Sequence, residues 1–238
     1  MRWWVAAIAV LWATTVCAQT PGSGIRLPED DNAIFSMTRL EVDGTRVSGR
    51  GVESWMGEGW IGTDMNRLWW STEGERVGPT TVDAELRAMY GHYFARFWDA
   101  VVGYDREFNP VGVNYVNAGV RGLAPYWIDV DAEMLLSDRG RVSLRTDAGT
   151  DWLLTQRLIT HPELRVDWPL TADPQRGLTP GVGDASVGLA TRYEFRREFA
   201  PYLELRWSRD AGAVQLAERR GGTDIAGWTV RGGLRLMF

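Results

Sequence analysis

Long segments that alternate between apolar and charged residues constrain the fold of this chain more than any other feature. In residues 128–136 the even positions are Ile, Val, Ala, Met and Leu, whereas Asp129, Asp131 and Glu133 occupy odd positions. Because successive side chains of a β-strand point to opposite faces, this pattern predicts a strand with one apolar and one charged face. The same alternation recurs to the last residue, and no segment predicts an amphipathic helix.

Turn-forming residues such as Asp43-Gly44 and Asn109-Pro110 separate the alternating segments. The pattern predicts twelve strands, at residues 34–43, 52–63, 66–77, 81–94, 97–108, 112–124, 126–137, 141–154, 156–168, 183–197, 199–209 and 227–238. Most of these strands are about 10–14 residues long, whereas strands of soluble proteins usually have about 5–6 residues.

Two architectures accommodate many amphipathic strands: a soluble sandwich or barrel with an apolar interior, and a membrane barrel with its apolar face turned to lipid. Strand length, polar faces with paired Asp, Glu and Arg, and aromatic residues near strand ends favour the membrane barrel. The end-of-strand aromatic residues are Trp69, Trp70, Phe97, Trp98, Tyr126, Trp127, Trp168 and Tyr202. We therefore predict an all-β fold, an antiparallel transmembrane β-barrel of about twelve strands over residues 33–238, with ten or fourteen strands as alternatives.

The first residues predict export from the cytoplasm. Residues 1–18 combine Arg2, an apolar run and a small-residue cleavage site ending at Ala18, which is the pattern of a signal peptide. A lipidated Cys17 is the rival interpretation. Residues 19–32 are rich in Pro, Gly and acidic residues and predict a flexible tail. The expected location is the bacterial outer membrane, with the barrel surrounded by outer-membrane lipid and both termini on the periplasmic side.

The other end of the chain and the composition narrow the class further. The last strand ends in Phe238, a terminal aromatic residue of the kind that the outer-membrane assembly machinery recognises. All 26 basic residues are Arg and the net charge is −5, which excludes a typical nucleic-acid-binding protein. The single Cys excludes a disulfide framework within the chain and a Cys-based zinc site.

In a membrane barrel the charged faces line the lumen, where carboxylates and guanidinium groups neutralise each other. The predicted lumen charge network contains Arg39, Glu41, Glu73, Glu85, Arg87, Arg145, Arg192, Glu194, Glu204 and Arg206. Glu73 and Glu75, with Arg67 and Arg76, are expected either to attract a divalent cation or, as we prefer, to form charge pairs. So crowded a lumen predicts a narrow passage and not a wide water channel.

Six segments carry a family resemblance, at residues 59–69 (GWIGTDMNRLW), 71–75 (STEGE), 122–127 (GLAPYW), 138–141 (DRGR), 154–159 (LTQRLI) and 193–202 (YEFRREFAPY). Together they resemble the bacterial copper resistance protein B family. The resemblance implies an outer-membrane protein of copper homeostasis that binds copper or helps to move it outward. Members typically carry a Met- and His-rich segment before the barrel, whereas residues 19–32 contain neither residue. A periplasmic copper-binding partner protein is one way in which that segment is supplied.

A bound copper ion favours soft donor groups as its ligands. Met37 and Met89 share the register of charged residues, so they are expected to face the lumen as a weak Cu(I) site or as packing, and Met65 lies in a turn. His92 and His161 are far apart in sequence and are expected to be isolated residues, although a common site stays open. The proline after His161 marks a bulge or the membrane edge of its strand.

Hard donors form the other candidate set. Asp129, Asp131 and Glu133 recur at every second residue, about 7 Å apart on one strand face. Such a row attracts a divalent cation, or it pairs with lumen arginines. The arginines considered for that pairing are Arg145, Arg87 and Arg206.

The expected function is therefore weak copper handling in copper resistance, by binding, export or sequestration. A generic small pore or structural barrel is the first alternative. An outer-membrane hydrolase with His92 or His161 as the base is the second, but the chain has no Gly-x-Ser-x-Gly segment, so we do not expect an enzyme.

Overall fold

The computed structural model describes residues 33–47, 50–109, 112–173, 179–181, 183–209 and 227–238. The predicted signal peptide and tail lie outside the described residues. The described residues contain no helix that is long and apolar enough to cross a membrane.

The described residues form thirteen β-strands and a short 3-10 turn at Pro125–Trp127. The strands are β1 (Phe35–Val47), β2 (Arg50–Gly62), β3 (Asn66–Val77), β4 (Thr80–Ala95), β5 (Trp98–Asn109), β6 (Val113–Ala124), β7 (Ile128–Ser137), β8 (Val142–Gly149), β9 (Trp152–Leu153), β10 (Leu158–Pro169), β11 (Ala185–Tyr193), β12 (Phe199–Arg209) and β13 (Gly227–Met237). Apart from β8 and β9, which both pair with β10, each strand pairs antiparallel with its neighbours in chain order. Strand β1 also pairs with β13, so the sheet closes on itself.

Strands β8 and β9 pair with the same neighbour, β10, and occupy one position in the barrel wall. The ladder is interrupted at Thr150 and Asp151, beside His161 and Pro162. Pro162 has no N–H to donate to a neighbouring strand, which favours an interruption there. The Thr150 N–H still donates to the Pro162 carbonyl at 3.2 Å. The wall therefore has twelve positions, and the predicted twelve-strand barrel is confirmed.

Strand β11 ends at Tyr193 and not at residue 197 as predicted, and the strand boundaries differ clearly from the prediction in two further places. The Asp43-Gly44 pair, which predicted a turn, lies inside β1, because that strand continues to Val47. The predicted strand 141–154 is broken between β8 and β9. In both places the partner strand decides the outcome, since β2 pairs with β1 beyond Gly44 and Pro162 interrupts the ladder of β8.

The barrel is apolar outside and polar inside. Outward residues such as Leu203 and Val116 are 65% and 57% exposed, whereas the inward Asp105 and Glu133 are 0% and 3% exposed. A soluble barrel shows the opposite distribution, because its apolar face packs inside. The distribution confirms the membrane-barrel interpretation of the alternating strands.

The end of the barrel at which β1 begins and β13 ends is called the terminal end. Exposed aromatic side chains gather there: Phe35, Phe94, Phe97, Tyr126, Trp127, Trp152, Phe195 and Phe238. Tyr126 and Trp127 have φ of 67° and 61°, so the tight turn after β6 uses the left-handed region and directs both rings outward. Such a belt is typical of a membrane–water interface.

Two aromatic residues predicted for the belts lie in the lumen instead. Tyr202 is buried and its hydroxyl donates to Asp43 Oδ2 at 3.0 Å. The Arg121 guanidinium lies 4.7 Å from the centroid of the Trp69 ring. Both aromatic residues share the register of inward carboxylates on their own strands, so the alternation of the strand takes precedence over their position near its end.

Candidate functional site

The lumen carries the charged faces of the strands, and its side chains are joined by ion pairs. All ten residues of the predicted network take part in these pairs. Close pairs along one strand or between strands one or two positions apart include Arg39–Glu58 (2.7 Å), Arg67–Asp99 (2.6 Å), Arg87–Glu85 (2.7 Å), Arg206–Glu204 (2.6 Å) and Arg235–Glu41 (2.6 Å). Arginine suits this role because it stays charged and binds a carboxylate with two N–H groups.

Two ion pairs cross the lumen, and we call them the lumen bridges. Arg145 on β8 donates to both carboxylate oxygens of Glu85 on β4, at 2.8 and 3.2 Å. Arg165 on β10 donates to both oxygens of Glu73 on β3, at 3.3 and 3.0 Å. Each bridge joins strands that lie on different sides of the barrel. The two bridges therefore divide the lumen.

The lumen bridges correct one prediction. Glu73 does not pair with Arg67, and Glu75 does not pair with Arg76. Glu75 accepts from Arg231 at 2.9 Å, and Arg67 binds Asp99 at 2.6 Å. Closure of the sheet brings distant strands to these carboxylates, which sequence proximity does not reveal.

On one side of the bridges lies a cavity of about 220 Å³. Its wall includes one thioether, that of Met56, and one imidazole, that of His161. It also includes seven carboxylates and five guanidinium groups, from Glu41, Asp43, Glu73, Glu75, Asp83, Glu163, Glu204, Arg39, Arg165, Arg206, Arg231 and Arg235. The excess of carboxylates makes this cavity more favourable for cations than for anions.

The other side is filled by side chains and has a buried acidic centre. Asp105 lies 3.5 Å from Arg145 and 3.7 Å from Arg87, and Glu133 lies 3.5 Å from Arg87. Glu85 is buried beside them and binds both arginines. We call this group, together with the buried Glu107, the acidic cluster. Glu85, Asp105 and Glu133 share the two guanidinium groups of Arg87 and Arg145, and Glu107 accepts a hydrogen bond from the Tyr115 hydroxyl at 3.2 Å.

The predicted methionine ligands do not come together. Met89 is 1% exposed on the lumen face of β4. Met37 lies on β1, in the inward register of Arg39, and pairs with Trp60 of β2. Three strand spacings separate Met37 from Met89, about 14 Å, which is too far for one ion. Met65 lies in the turn between β2 and β3 and is half-exposed.

The two histidines lie on opposite faces of the barrel wall and do not form a common site. The His92 ring is exposed outward and its Nδ1 lies 2.9 Å from Asn66 Oδ1. The His161 ring faces inward and its Nδ1 lies 2.8 Å from Asp151 Oδ1. Burial raises the pKa of Asp151, but hydrogen bonds from His161 and Arg192 outweigh burial and hold that pKa below its usual value.

The acidic row of β7 faces the lumen and is divided among different partners. Asp131 accepts from Arg121, and Glu133 accepts from Asn117 Nδ2 at 3.0 Å. Asp129 lies at the terminal end, at the start of β7. Within the part of the chain that the structure describes, no group of three or more His, Cys, Asp or Glu side chains is arranged to hold a metal ion. Any metal site here needs other donors.

Several inward residues were not identified from the sequence, among them Met56, Asp105, Asn117 and Asp151. The first three share the register of charged neighbours on their strands, so the alternation itself contained the signal. Asp151 lies in the interruption between β8 and β9, where no alternation predicts the direction of a side chain.

Comparison with known proteins gives a consistent family assignment. Residues 32–238 match the family described as Copper resistance protein B precursor (CopB). The Escherichia coli Copper resistance protein B is 37% identical over 197 residues, which are 82% of this chain and 67% of the relative. The Copper resistance protein B homolog of Pseudomonas syringae pv. tomato is 36% identical over 212 residues, which are 87% of this chain and 70% of the relative.

Solved structures with a similar fold are outer-membrane porins. NanC porin gives a TM-score of 0.57 at 12% identity and covers 83% of this chain and 98% of its own. KdgM porin gives a TM-score of 0.52 at 11% identity, covering 86% and 99%. At these identities the likeness concerns the fold alone. The match over the whole barrel and the identity to curated relatives confirm the resemblance seen in the sequence: the chain belongs to the copper resistance protein B family.

Proposed function

We propose that this barrel serves copper resistance by holding copper ions transiently in its lumen at the outer membrane, without catalysing a reaction. One observation carries the proposal: the cavity beside the lumen bridges combines the Met56 thioether, the His161 imidazole and an excess of carboxylates. Thioether sulfur favours Cu(I), and imidazole and carboxylate accept Cu(II). The family supports the choice of copper as the ion.

The lumen bridges support weak binding over free passage. Arg145 and Arg165 reach across to Glu85 and Glu73, so an ion that crosses the barrel has to displace or pass these pairs. We propose that copper enters the cavity, binds and leaves, and that net export needs the bridges to separate. A periplasmic copper-binding protein is the proposed donor, since residues 19–32 contain no Met or His.

The same proposal places the mature chain, after cleavage near Ala18, in outer-membrane lipid. There the apolar outer wall contacts acyl chains. Phe238 ends the chain directly after β13, and we propose that the assembly machinery recognises this strand during insertion.

The test is titration of the refolded barrel in detergent with Cu(I) under reducing conditions and with Cu(II) in air. We expect the double variant Met56→Leu, His161→Gln to bind copper at least about tenfold more weakly than the wild type. The matched control is Met65→Leu, His92→Gln, which changes the same residue types in a turn and on the outer face. Equal losses in both double variants, or no copper binding by the wild type, would contradict the proposal.

A passive pore is the second candidate, favoured by the likeness to porins. Cells that lack the protein separate the two functions. Copper handling predicts a loss of tolerance to copper and not to other toxic solutes of similar size. A passive pore predicts changes for all of them.

A further inference from the structure

The side chains of Met89 and Asn117 meet over Gly103, in the wall between β4 and β6. A Cβ atom on Gly103 would lie 2.5 Å from Met89 Cγ and 2.8 Å from Asn117 Oδ1. Glycine at this position therefore leaves room for the thioether chain and the amide to approach each other. Both side chains are 1% exposed, so the pair is fully buried beside the acidic cluster.

The acceptor oxygens at this place lack hydrogen-bond donors. Asn117 uses its Nδ2 to donate to Glu133 Oε2 at 3.0 Å, but Asn117 Oδ1 has no hydrogen-bond partner. Glu133 Oε1 and both oxygens of Asp105 also accept no hydrogen bond. Glu133 Oε1 and Asp105 Oδ2 lie 3.5 Å from guanidinium nitrogens of Arg87 and Arg145, so these arginines compensate them in part. A buried acceptor without a partner costs about 1–3 kcal/mol, so Asn117 Oδ1 and Asp105 Oδ1 are the atoms that favour a further positively polarised group here.

The charge of the side chains around Met89 and Asn117 also favours a bound cation. Three carboxylates of the acidic cluster, those of Glu85, Asp105 and Glu133, lie beside two guanidinium groups, those of Arg87 and Arg145. Protonation of the carboxyl groups neutralises this excess of negative charge but forms no bond with the Met89 sulfur. A metal cation neutralises the charge and also binds the sulfur, because thioether, amide oxygen and carboxylate are all metal ligands.

We propose that Met89, Asn117 Oδ1 and Glu133 form a buried Cu(I) site over Gly103, with the remaining negative charge of Asp105 nearby. The thioether selects Cu(I) over Cu(II) and over hard divalent ions. The site is distinct from the cavity of Met56 and His161, which lies on the other side of the lumen bridges. The inference rests on the proposed function in its choice of copper, and it adds a second, more enclosed position for the ion.

The experiment is competition for Cu(I) between the full-length refolded barrel and a coloured Cu(I) chelator, with X-ray absorption at the copper edge. We expect one Cu(I) per barrel that resists the chelator, with sulfur in its first coordination shell. Met89→Leu keeps the volume and removes the sulfur, and we expect it to weaken this binding at least about tenfold. Met37→Leu is the matched control, an inward methionine on β1 that should leave the binding unchanged. Heat-modifiable mobility in gel electrophoresis, in which a folded barrel migrates differently before and after boiling, verifies that each variant is folded.

Two results would overturn the site. Undiminished Cu(I) binding by Met89→Leu and by Asn117→Leu would show that the ion lies elsewhere, and the proposed function would stand. Binding of Zn²⁺ or Ca²⁺ that depends on Glu133 but not on Met89 would show a hard-cation site instead. Failure of the proposed function has a different signature: the wild type then binds no copper anywhere, and its loss leaves copper tolerance unchanged.

Discussion

Replacing Arg145 by methionine is the most direct test of how the lumen is held together. Arg145 donates two hydrogen bonds to Glu85 and one to Asp167 at 3.1 Å, and it lies 3.5 Å from Asp105. Its side chain is 16% exposed, so water compensates little for lost contacts. In the variant, the carboxylates of Glu85, Asp105 and Asp167 lose the guanidinium group that they share.

The expected cost follows from these contacts. Removing one partner of a buried ion pair costs about 3–5 kcal/mol, because the remaining charge stays buried without compensation. We expect Arg145→Met to lower the free energy of unfolding by about that amount. The double variant Glu85→Gln, Arg145→Met removes one of the stranded charges. It should be more stable than the sum of the two single changes, by about 0.5–3 kcal/mol.

The assay is urea-dependent unfolding in lipid vesicles, followed by tryptophan fluorescence, for the single and double variants. Arg157→Met is the control, because Arg157 is exposed in the loop between β9 and β10 and should change stability by less than about 0.5 kcal/mol. A loss below about 1 kcal/mol for Arg145→Met would refute the reasoning. Strict additivity of Glu85→Gln and Arg145→Met would refute it as well.

Three further predictions follow from the same geometry. Single-channel conductance in planar bilayers should be higher for Arg145→Ala, Arg165→Ala than for the wild type, because both lumen bridges are then absent; equal conductance would mean that another contact closes the lumen. The lowered pKa of Asp151 stabilises the fold above the unfolded pKa of about 4, and this contribution is lost as the pH falls from there through the folded value. Urea unfolding between pH 7 and pH 3 should therefore show a weaker acid dependence in Asp151→Asn, and an identical dependence would contradict the assignment. Gly74→Ala should cost about 1–3 kcal/mol in the same unfolding assay, because its Cβ would meet a tryptophan ring of β2 and lie 2.7 Å from a backbone carbonyl of β4. Gly51→Ala, whose Cβ meets no atom within 4 Å, should change little, and similar effects of the two would count against the steric explanation.

The alternation of the sequence predicted the strands and the direction of their side chains, because both depend only on local periodicity. It placed Met89 inward, and the structure buries this residue in the lumen. The alternation also placed Tyr202 and Met56 inward. Tyr202 was nevertheless predicted in an aromatic belt, and Met56 was not named as a candidate ligand. The register of an amphipathic strand is thus stronger evidence for direction than the type of a single residue.

What the alternation does not contain is the set of partners across the lumen. Glu73 meets Arg165 and Glu85 meets Arg145 only because the sheet closes, which places strands far apart in sequence on facing walls. The local sequence grouped Glu73 and Glu75 with Arg67 and Arg76 instead. The meeting of Met89 and Asn117 over Gly103 has the same origin, since it depends on the relative stagger of β4, β5 and β6.

The choice of basic residue links the lumen to its proposed cargo. All 26 Lys and Arg positions of the chain are Arg, whose guanidinium keeps its charge even when buried, so the positive charge that these residues give the lumen does not change with conditions. The carboxylates that exceed these arginines are then neutralised only by protons or by cations from outside. In the acidic cluster this excess lies beside a thioether and an unpartnered amide oxygen. Under the proposed function, copper completes the electrostatic balance of this arginine framework with its surplus carboxylates, and protons are expected to take its place when copper leaves.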